Sequence, residues 1–282
     1  MDIIYTAGDF LSWKKNNSET LGFVPTLGAL HEGHFSLVSS SKKICKLTAV
    51  SIFLNPTQFA AHEDLDSYPN TLEEDIKHLQ DLQVDVLFLP TKEHMYNEVG
   101  AVRIPASDLF NKLEGAFRPH FFHGVTTIVA KLFNVVLPTH TFFGEKDAQQ
   151  LFIIKEMIKN MQYPITLIPC PTIRDSHGLA LSSRNQYLSK KERLLASIIY
   201  KSLMHIKEAL LKGQSNVMLL KTQYMNMVHE VPNMKVDYIS ITSASNLEDI
   251  SIIKSKEILI STAVYFKDVR LIDNFIYLSS TI

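Results

Sequence analysis

The chain has 282 residues, 46% of them hydrophobic, which is enough for one large or two unequal domains with a substantial core. Its 28 basic and 29 acidic side chains nearly cancel, so no overall field attracts nucleic acid or an anionic membrane, and any anion site must be local. Cys45 and Cys170 have no metal-like spacing, and we expect neither a targeting segment nor an apolar run of the ~20 residues that span a bilayer. These features predict a cytoplasmic protein with reduced thiols.

Up to about residue 170, short β-rich runs alternate with amphipathic helical patterns. Strands are predicted at Gly22–Thr26, Leu47–Leu54, Val84–Leu89, His140–Phe143 and Ile165–Cys170. Helices are predicted at Phe35–Cys45, Leu72–Leu82, Val125–Val136 and Gln149–Met161. This βαβ order predicts a mostly parallel sheet covered on both faces. Thr71 and Glu74 predict a capping box at the start of one helix.

The pattern changes beyond Pro171. Two long helical patterns come first and three β-branched runs follow, at Lys190–Leu211, Asn216–Val231, Val236–Thr242, Glu257–Phe266 and Val269–Leu278. This order predicts a smaller α+β domain with antiparallel strands. We therefore expect one domain over residues 1–172 and a second over residues 173–282.

Two histidines stand where the first of these strands meets a helix. Residues 25–34 read Pro-Thr-Leu-Gly-Ala-Leu-His-Glu-Gly-His. Backbone N–H groups and the helix dipole favour phosphate at such a turn, and glycines let the backbone approach a ligand closely. His31 and His34 share a face if both lie in the first helical turn, and such a pair can stabilise charge on a phosphate in transfer. The alternative is a surface turn whose histidines have no function.

Neutral amides follow the second predicted strand. Asn55 and Gln58 offer uncharged donors and acceptors that suit a small hydroxy acid or amide. Gln150 is expected to begin a later helix and to face the same region as Gln58. A proline turn with a polar rim is the alternative for Asn55–Phe59.

Charged segments follow the fourth strand and the change of pattern. Lys146 can neutralise phosphate charge, and Asp147 can hold ribose hydroxyls or a metal-bound water. Two serines and a guanidinium at Ser182–Arg184 can grip triphosphate oxygens on a loop that closes between the domains. Either segment alone can also be a solvated surface turn.

Six segments together carry a family resemblance. PTLGALHEGH, SIFLNPTQF, SYPNTLEED, LEGAFRP, FGEKDAQQ and LALSSRN occur in this order between Pro25 and Asn185. They closely resemble the pantothenate synthetase (pantoate–β-alanine ligase) family of the HxGH nucleotidyltransferase-like superfamily. The resemblance implies an α/β fold, with a Rossmann-like N-terminal domain around a parallel sheet and a smaller α+β C-terminal lid domain.

The resemblance also implies a reaction. ATP adenylates the carboxylate of (R)-pantoate and releases pyrophosphate, and the amine of β-alanine then attacks the pantoyl adenylate to give pantothenate and AMP. No enzyme nucleophile is required, which agrees with the lack of a Ser–His–Asp or Cys–His signature in the sequence. A cytoplasmic homodimer that uses ATP and Mg²⁺, without nucleic-acid or membrane partners, is expected.

Site residues carry over from the family to matching positions. The residues expected to bind ATP are Leu27, Gly28, Ala29, Leu30, His31, Glu32, Gly33, His34, Gly144, Glu145, Lys146, Asp147, Ile173, Leu181, Ser182, Ser183 and Arg184. The catalytic residues among them are His31, His34, Lys146 and Arg184, close to the phosphates and to a Mg²⁺ whose protein ligands are not identified. Gln58 and Gln150 are expected to hold pantoate or β-alanine, with Asn55 nearby.

One segment departs from the family pattern. The family has Arg-Pro-Gly-His-Phe-Arg-Gly where this chain has Arg-Pro-His-Phe-Phe-His-Gly at residues 118–124. Phe121 therefore replaces a histidine and His123 an arginine, and a one-residue slip would let His120 or His123 substitute. The function of this segment stays open.

Two other functions are possible. Another HxGH-type nucleotidyltransferase, acting on a phosphate monoester, needs a basic pocket for the second phosphate, whereas the acceptor segments here carry neutral amides. A nucleotide-binding sensor without catalysis predicts ATP binding and no pyrophosphate release. The presence of His31, His34, Lys146 and Arg184 together argues against such a sensor.

Overall fold

The computed structural model describes residues 1–60, 63–96, 107–253 and 257–278. The chain divides into two compact units, the first comprising Met1–Glu145 and Gln149–Pro171, and the second comprising Lys146–Ala148 and Thr172–Ile282. The second unit thus contains three residues from Lys146 onward and all residues after Pro171.

A six-stranded parallel sheet forms the centre of the first unit. Its strands are β1 (Asp2–Ile4), β2 (Leu21–Thr26), β3 (Leu47–Ile52), β4 (Val86–Phe88), β5 (His140–Gly144) and β6 (Thr166–Cys170). Their spatial order is β1-β4-β3-β2-β5-β6, and every neighbouring pair is parallel. Parallel neighbours need crossover connections, which the intervening helices supply. The predicted parallel α/β sheet is confirmed.

Helices cover both faces of this sheet. They are α1 (Ala7–Asn16), α2 (Glu32–Ile44), α3 (Leu72–Asp81), α4 (Lys92–Met95), α5 (Glu114–Phe117), α6 (Phe121–Val136) and α7 (Ala148–Asn160). Successive strand residues point to opposite faces, so Phe23 packs in a core with α1, α6 and α7, and Val24 packs in another with α2 and α3. This is the covered, Rossmann-like arrangement expected from the sequence.

The N-terminal elements β1 and α1 were not predicted. The equally short β4 lies in a mostly apolar run, Val84–Leu89, whereas β1 begins with the charged Asp2. β1 is defined by its pairing with β4, where Asp2 lies opposite Val86. The start of α1 does carry a local signal, because the hydroxyl of Thr6 accepts a hydrogen bond from the Asp9 N–H at 3.2 Å.

The second unit is a three-stranded antiparallel sheet packed with helices. Its elements are α8 (Lys190–Ala196), α9 (Ile198–Leu211), α10 (Val217–His229), β7 (Met234–Ser243), β8 (Glu257–Phe266) and β9 (Val269–Leu278), with strand order β7-β8-β9. The smaller α+β arrangement is confirmed. The prediction of one helix over Lys190–Leu211 is wrong, because the helix is interrupted at Ser197 and two helices form. The hydroxyl of Ser197 donates to the Leu194 carbonyl at 2.6 Å.

The strand order places the polar segments of the first unit. β2 lies between β3 and β5, so successive connections leave in opposite directions there, and a crevice opens at the carboxyl ends of such strands. His31 follows β2, Asn55 follows β3, and Glu145 follows β5. These segments therefore leave the same edge of the sheet, as the sequence predicted.

Candidate active site

The two histidines cap helix α2 reciprocally. His31 is the N-cap residue, and its Nδ1 accepts a hydrogen bond from the Gly33 N–H at 3.1 Å. The Nδ1 of His34 accepts from the His31 N–H at 3.3 Å, and the two ring centroids lie 4.2 Å apart. Because both Nδ1 atoms accept, the proton of each neutral imidazole resides on Nε2. The cap thus gives each ring a defined tautomer with Nε2–H as donor.

A buried carboxylate holds the turn that precedes these histidines. Asp75 in α3 is only 2% exposed, and its two carboxylate oxygens accept from the N–H groups of Ala29 and Leu30, each at 2.9 Å. The turn needs unusual backbone angles, with φ of +91° at Gly28 and +51° at Ala29. Few residues other than glycine adopt such angles without cost, so the two bonds to Asp75 hold a conformation that the chain would otherwise leave.

Burial raises the pKa of Asp75 above its usual value, while hydrogen bonds from Leu30, Thr71 and Ala29 oppose that rise. The sequence analysis missed this residue. It predicted a capping box of Thr71 and Glu74, which is wrong: the Thr71 side chain makes no cap and donates to Asp75 Oδ1 at 3.2 Å. The available signal was that Asp75 lies on the apolar face of α3, four residues before the buried Leu79.

The expected free backbone donors of this turn are engaged within the chain. Side chains of the protein accept from the amides of Gly28, Ala29, Leu30, His31 and Gly33. In this conformation these N–H groups are therefore used within the chain, and phosphate binding by the turn stays a prediction.

Asn55 lies at the centre of a hydrogen-bond network after β3. It is fully buried and caps a short 3₁₀ helix, Pro56–Gln58. Its Nδ2 donates to Gln58 Oε1 at 3.1 Å and to the Gly124 carbonyl at 3.2 Å, and its Oδ1 accepts from Thr57 Oγ1 at 2.9 Å and from Tyr96 Oη at 2.7 Å. Both N–H groups and the oxygen of Asn55 are thus used internally. Its effect is to orient Gln58.

The same network includes the half-buried Tyr96 and requires a glycine at position 124. Burial raises the pKa of Tyr96, which keeps its hydroxyl protonated as the donor to Asn55. A Cβ at Gly124 would lie 2.5 Å from the Thr57 carbonyl oxygen, so only glycine lets α6 approach the Pro56–Gln58 helix this closely.

The segment that departs from the family pattern braces this helix. Arg118 donates to both carboxylate oxygens of Glu63 at 2.6 Å and to the Gln58 carbonyl at 3.4 Å. Its guanidinium lies 3.8 Å from the ring centre of Phe121. His120 is exposed, and His123 packs edge-on against Phe110 at 4.9 Å. The residue at the unusual position, Phe121, therefore supports the arginine.

Adjacent glutamines at the start of α7 have different surroundings. Gln149 is 4% exposed, and its Nε2 donates to the carbonyls of Leu109 and Lys112 at 2.8 and 2.6 Å. Gln150 is half-buried and stands in the first turn of α7, as predicted. The sequence analysis selected Gln150 and did not foresee that Gln149 anchors a neighbouring loop.

The remaining predicted site residues belong to the second unit or to its boundary. Gly144 ends β5, and Glu145–Asp147 form one 3₁₀ turn across the boundary, so Lys146 and Asp147 lie in the second unit. The carbonyl of Lys146 accepts a hydrogen bond from Asn274 Nδ2 at 2.7 Å.

The serine-arginine segment follows a short hairpin of the second unit. Ile173 accepts from the Leu181 N–H at 2.9 Å, and Arg174 pairs with Ala180. Ser182 then caps a 3₁₀ helix, Ser183–Tyr187, by accepting from the Arg184 N–H at 3.3 Å. Ser183 is buried, while Leu181, Ser182 and Arg184 are half-buried.

No helix in the described ranges has the length and apolar character required to cross a membrane. The same ranges contain no group of three or more His, Cys, Asp or Glu side chains able to hold a metal ion.

Comparisons with known proteins agree with this architecture. A family model described as pantoate-beta-alanine ligase matches residues 3–276. A pantothenate synthetase from Acetivibrio thermocellus is 42% identical over 279 residues, covering 98% of this chain and 99% of the relative. The crystal structure of pantothenate synthetase from Thermus thermophilus has a TM-score of 0.92 and 37% identity, covering 98% of this chain and 99% of that one.

A third relative was solved with ligands. The pantoate-beta-alanine ligase from Francisella tularensis, complexed with beta-gamma ATP and beta-alanine, has a TM-score of 0.79 and 36% identity, covering 100% of this chain and 99% of that chain.

Proposed function

The chain belongs to the pantoate–β-alanine ligase family, and we propose on that premise that it joins pantoate to β-alanine through a pantoyl adenylate. In the first step, a pantoate carboxylate oxygen bonds to the α-phosphorus of ATP, and the bond from that phosphorus to the bridging oxygen breaks, releasing pyrophosphate. In the second, the β-alanine amine bonds to the acyl carbon, AMP leaves, and the amine loses a proton. The liganded Francisella relative supports ATP and β-alanine as ligands of the shared fold.

The histidine pair is the observation that carries this proposal. His31 and His34 cap α2 through Nδ1, so two Nε2–H donors stand at the carboxyl end of β2, where nucleotides bind in such sheets. We propose that these donors and the Lys146 ammonium stabilise charge that develops on the α-phosphate. Arg184, Ser182 and Ser183 hold the outgoing pyrophosphate on a segment that closes over it.

Pantoate is assigned to the amide side chains. Gln58 and Gln150 hold its carboxylate and hydroxyls, and Asn55 acts indirectly by fixing Gln58 Oε1. Neutral amides suit this substrate because its one charged group, the carboxylate, must stay nucleophilic toward phosphorus.

Adenosine is assigned to backbone and small side chains. The surfaces proposed to enclose it come from Leu27, Gly28, Ala29, Leu30, Glu32, Gly33, Gly144, Glu145, Asp147, Ile173 and Leu181. Asp75 supports this role because its bonds to Ala29 and Leu30 keep the turn after β2 in one conformation.

Three further assignments belong to the proposal. Mg²⁺ would enter together with ATP, and no group of three or more His, Cys, Asp or Glu side chains among the described residues could hold it. We assign a cytoplasmic location, which the unpaired, buried Cys45 and Cys170 support. We also assign a homodimeric state, by family resemblance.

Product analysis tests the proposed function. ATP is incubated with the protein and pantoate, with β-alanine, with both, or with a phosphate monoester acceptor. AMP and pantothenate should accumulate in equal amounts only when both substrates are present. Pyrophosphate release with a phosphate monoester would identify another nucleotidyltransferase, and ATP binding without turnover would identify a sensor.

A further inference from the structure

Two adjacent residues of β9 hold segments that are far apart in sequence. Asp273 and Asn274 are 3% and 8% exposed, although both are polar. Buried polar groups are retained where they have hydrogen-bond partners. The partners here belong to two segments to which the proposed function assigns ATP binding.

Asn274 fixes the backbone at Lys146. Its Nδ2 donates to the Lys146 carbonyl at 2.7 Å, across 128 positions of sequence. The backbone N–H of Asn274 itself donates to Asp273 Oδ1 at 2.8 Å, which sets the strand geometry from which the amide projects. A carbonyl held in this way restrains the peptide plane between Lys146 and Asp147, which is part of the backbone from which the Lys146 side chain extends.

Asp273 fixes the hairpin that leads to the serine-arginine segment. Its carboxylate accepts two hydrogen bonds from Arg174, at 2.6 and 2.8 Å. Arg174 also donates to the Gly178 carbonyl at 3.1 Å and lies 4.0 Å from the ring centre of Tyr200. The hairpin therefore has a rigid base next to the point where Leu181 begins the segment.

The 3₁₀ helix Ser183–Tyr187 also lies against β9. β9 thus contacts the Lys146 turn, the Arg174 hairpin and the helix that carries Arg184. These three segments of the second unit therefore share β9 as a common neighbour.

We propose that Asn274 is a positioning residue for adenylation, which acts by aiming Lys146, while Asp273 holds the hairpin before Arg184. This inference rests on the proposed function. Neither residue contacts a reacting atom in this scheme. A misplacement of about 1 Å in a charged group is enough to lower a rate by up to ~10²-fold, so losing one such bond is expected to affect the chemical step.

The test compares Asn274→Ala with a matched control, Ser261→Ala. Ser261 lies directly opposite Asn274 on β8, and its buried hydroxyl has no hydrogen-bond partner among the described residues. The measurements are pantoate-dependent exchange of pyrophosphate into ATP, the KM for pantoate, and thermal unfolding. Asn274→Ala should lower kcat at least ~10-fold with little change in KM for pantoate, and Ser261→Ala should behave like wild type.

A double-mutant cycle separates positioning from a general structural effect. Single-turnover adenylate formation is compared in Lys146→Ala and in Lys146→Ala with Asn274→Ala. If Asn274 acts through Lys146, its removal should change the rate less than roughly 2-fold in that background. Equal losses in both backgrounds would overturn the inference, as would normal kcat in Asn274→Ala. If the alanine variant does not fold, Asn274→Ser, whose side chain is too short for the Lys146 carbonyl, is measured in its place and should show the same pattern.

The two proposals fail differently. Wild-type protein without pantoate-dependent exchange would reject the proposed function. Normal exchange in wild type together with equal exchange in Asn274→Ala would reject the positioning role alone.

Discussion

Two roles are assigned to the ring of His31, because Nδ1 caps α2 and Nε2 is proposed to face the nucleotide. The roles can be separated by substitution. Asparagine is among the best N-cap residues, and its short side chain can accept from the Gly33 N–H but does not extend to the position of Nε2. Alanine removes both functions.

His31→Asn and His31→Ala should therefore differ in stability and agree in activity. Both are expected to lose ~10²–10³ in adenylation rate, by analogy with the loss of one donor to a developing oxyanion. Only His31→Ala should also lose ~1 kcal/mol of unfolding free energy. Single-turnover kinetics and urea unfolding check this. Near-normal adenylation in His31→Asn would remove Nε2 from the mechanism.

The adjacent glutamines of α7 give a second contrast. Gln150→Ala should weaken pantoate binding by ~1–3 kcal/mol with ATP affinity and stability nearly unchanged. Gln149→Ala should instead lower the unfolding free energy by a similar ~1–3 kcal/mol, because it removes two side-chain hydrogen bonds that tie α7 to the carbonyls of Leu109 and Lys112. Calorimetric titration and urea unfolding measure both. Equal losses of ATP and pantoate affinity in Gln150→Ala would mean general damage to the site.

At the scale of elements, Asp75 connects α3 to the turn before α2 through its hydrogen bonds from the Ala29 and Leu30 N–H groups. An amide at this position keeps one acceptor and turns an NH₂ group toward the other N–H. Asp75→Asn should therefore lower the unfolding free energy by ~1–3 kcal/mol and slow adenylation. Glu74→Gln is the matched control, since Glu74 is exposed on the same helix and the substitution also replaces a carboxylate by an amide. Equal behaviour of the two variants would contradict the role of Asp75.

The difference in unfolding free energy between wild type and Asp75→Asn should depend on pH in a defined direction. Burial raises the pKa of Asp75 in the folded chain above the unfolded value of ~3.9, so the folded state binds more protons between the two values. The linked stability is fully present below the unfolded pKa and is lost as pH rises through the folded pKa. The unfolding free energy of wild type minus that of Asp75→Asn should accordingly decrease as pH rises between the unfolded and the folded pKa. Urea unfolding at successive pH values measures this decrease. An increase over the same window would contradict the raised pKa.

For the whole molecule, the sequence predicted the parallel sheet, the smaller antiparallel unit and the strand ends that carry polar residues. It did so because apolar periodicity and strand-to-helix turns are local properties. β1 was not predicted because its short segment begins with the charged Asp2, and the interruption at Ser197 was not predicted because the apolar pattern continues through it. The contacts of Asp75 and Asn274 could not be predicted, since each joins segments that no local pattern connects.

The chain's path also places the proposed catalytic groups in different units. His31 and His34 lie in the first unit, and Lys146 and Arg184 in the second. The proposed adenylation scheme thus draws on residues of both units, whereas each unit has its own core. The chemical step is the property that would report on all of the proposed groups at once.

Isotope exchange between pyrophosphate and ATP measures that step most directly. With pantoate alone, labelled pyrophosphate should appear in ATP, because a reversible pantoyl adenylate forms before β-alanine is needed. Exchange should disappear without pantoate and fall steeply in His34→Ala and Lys146→Ala. Exchange that appears only after β-alanine is added would contradict the two-step pantoyl-adenylate mechanism.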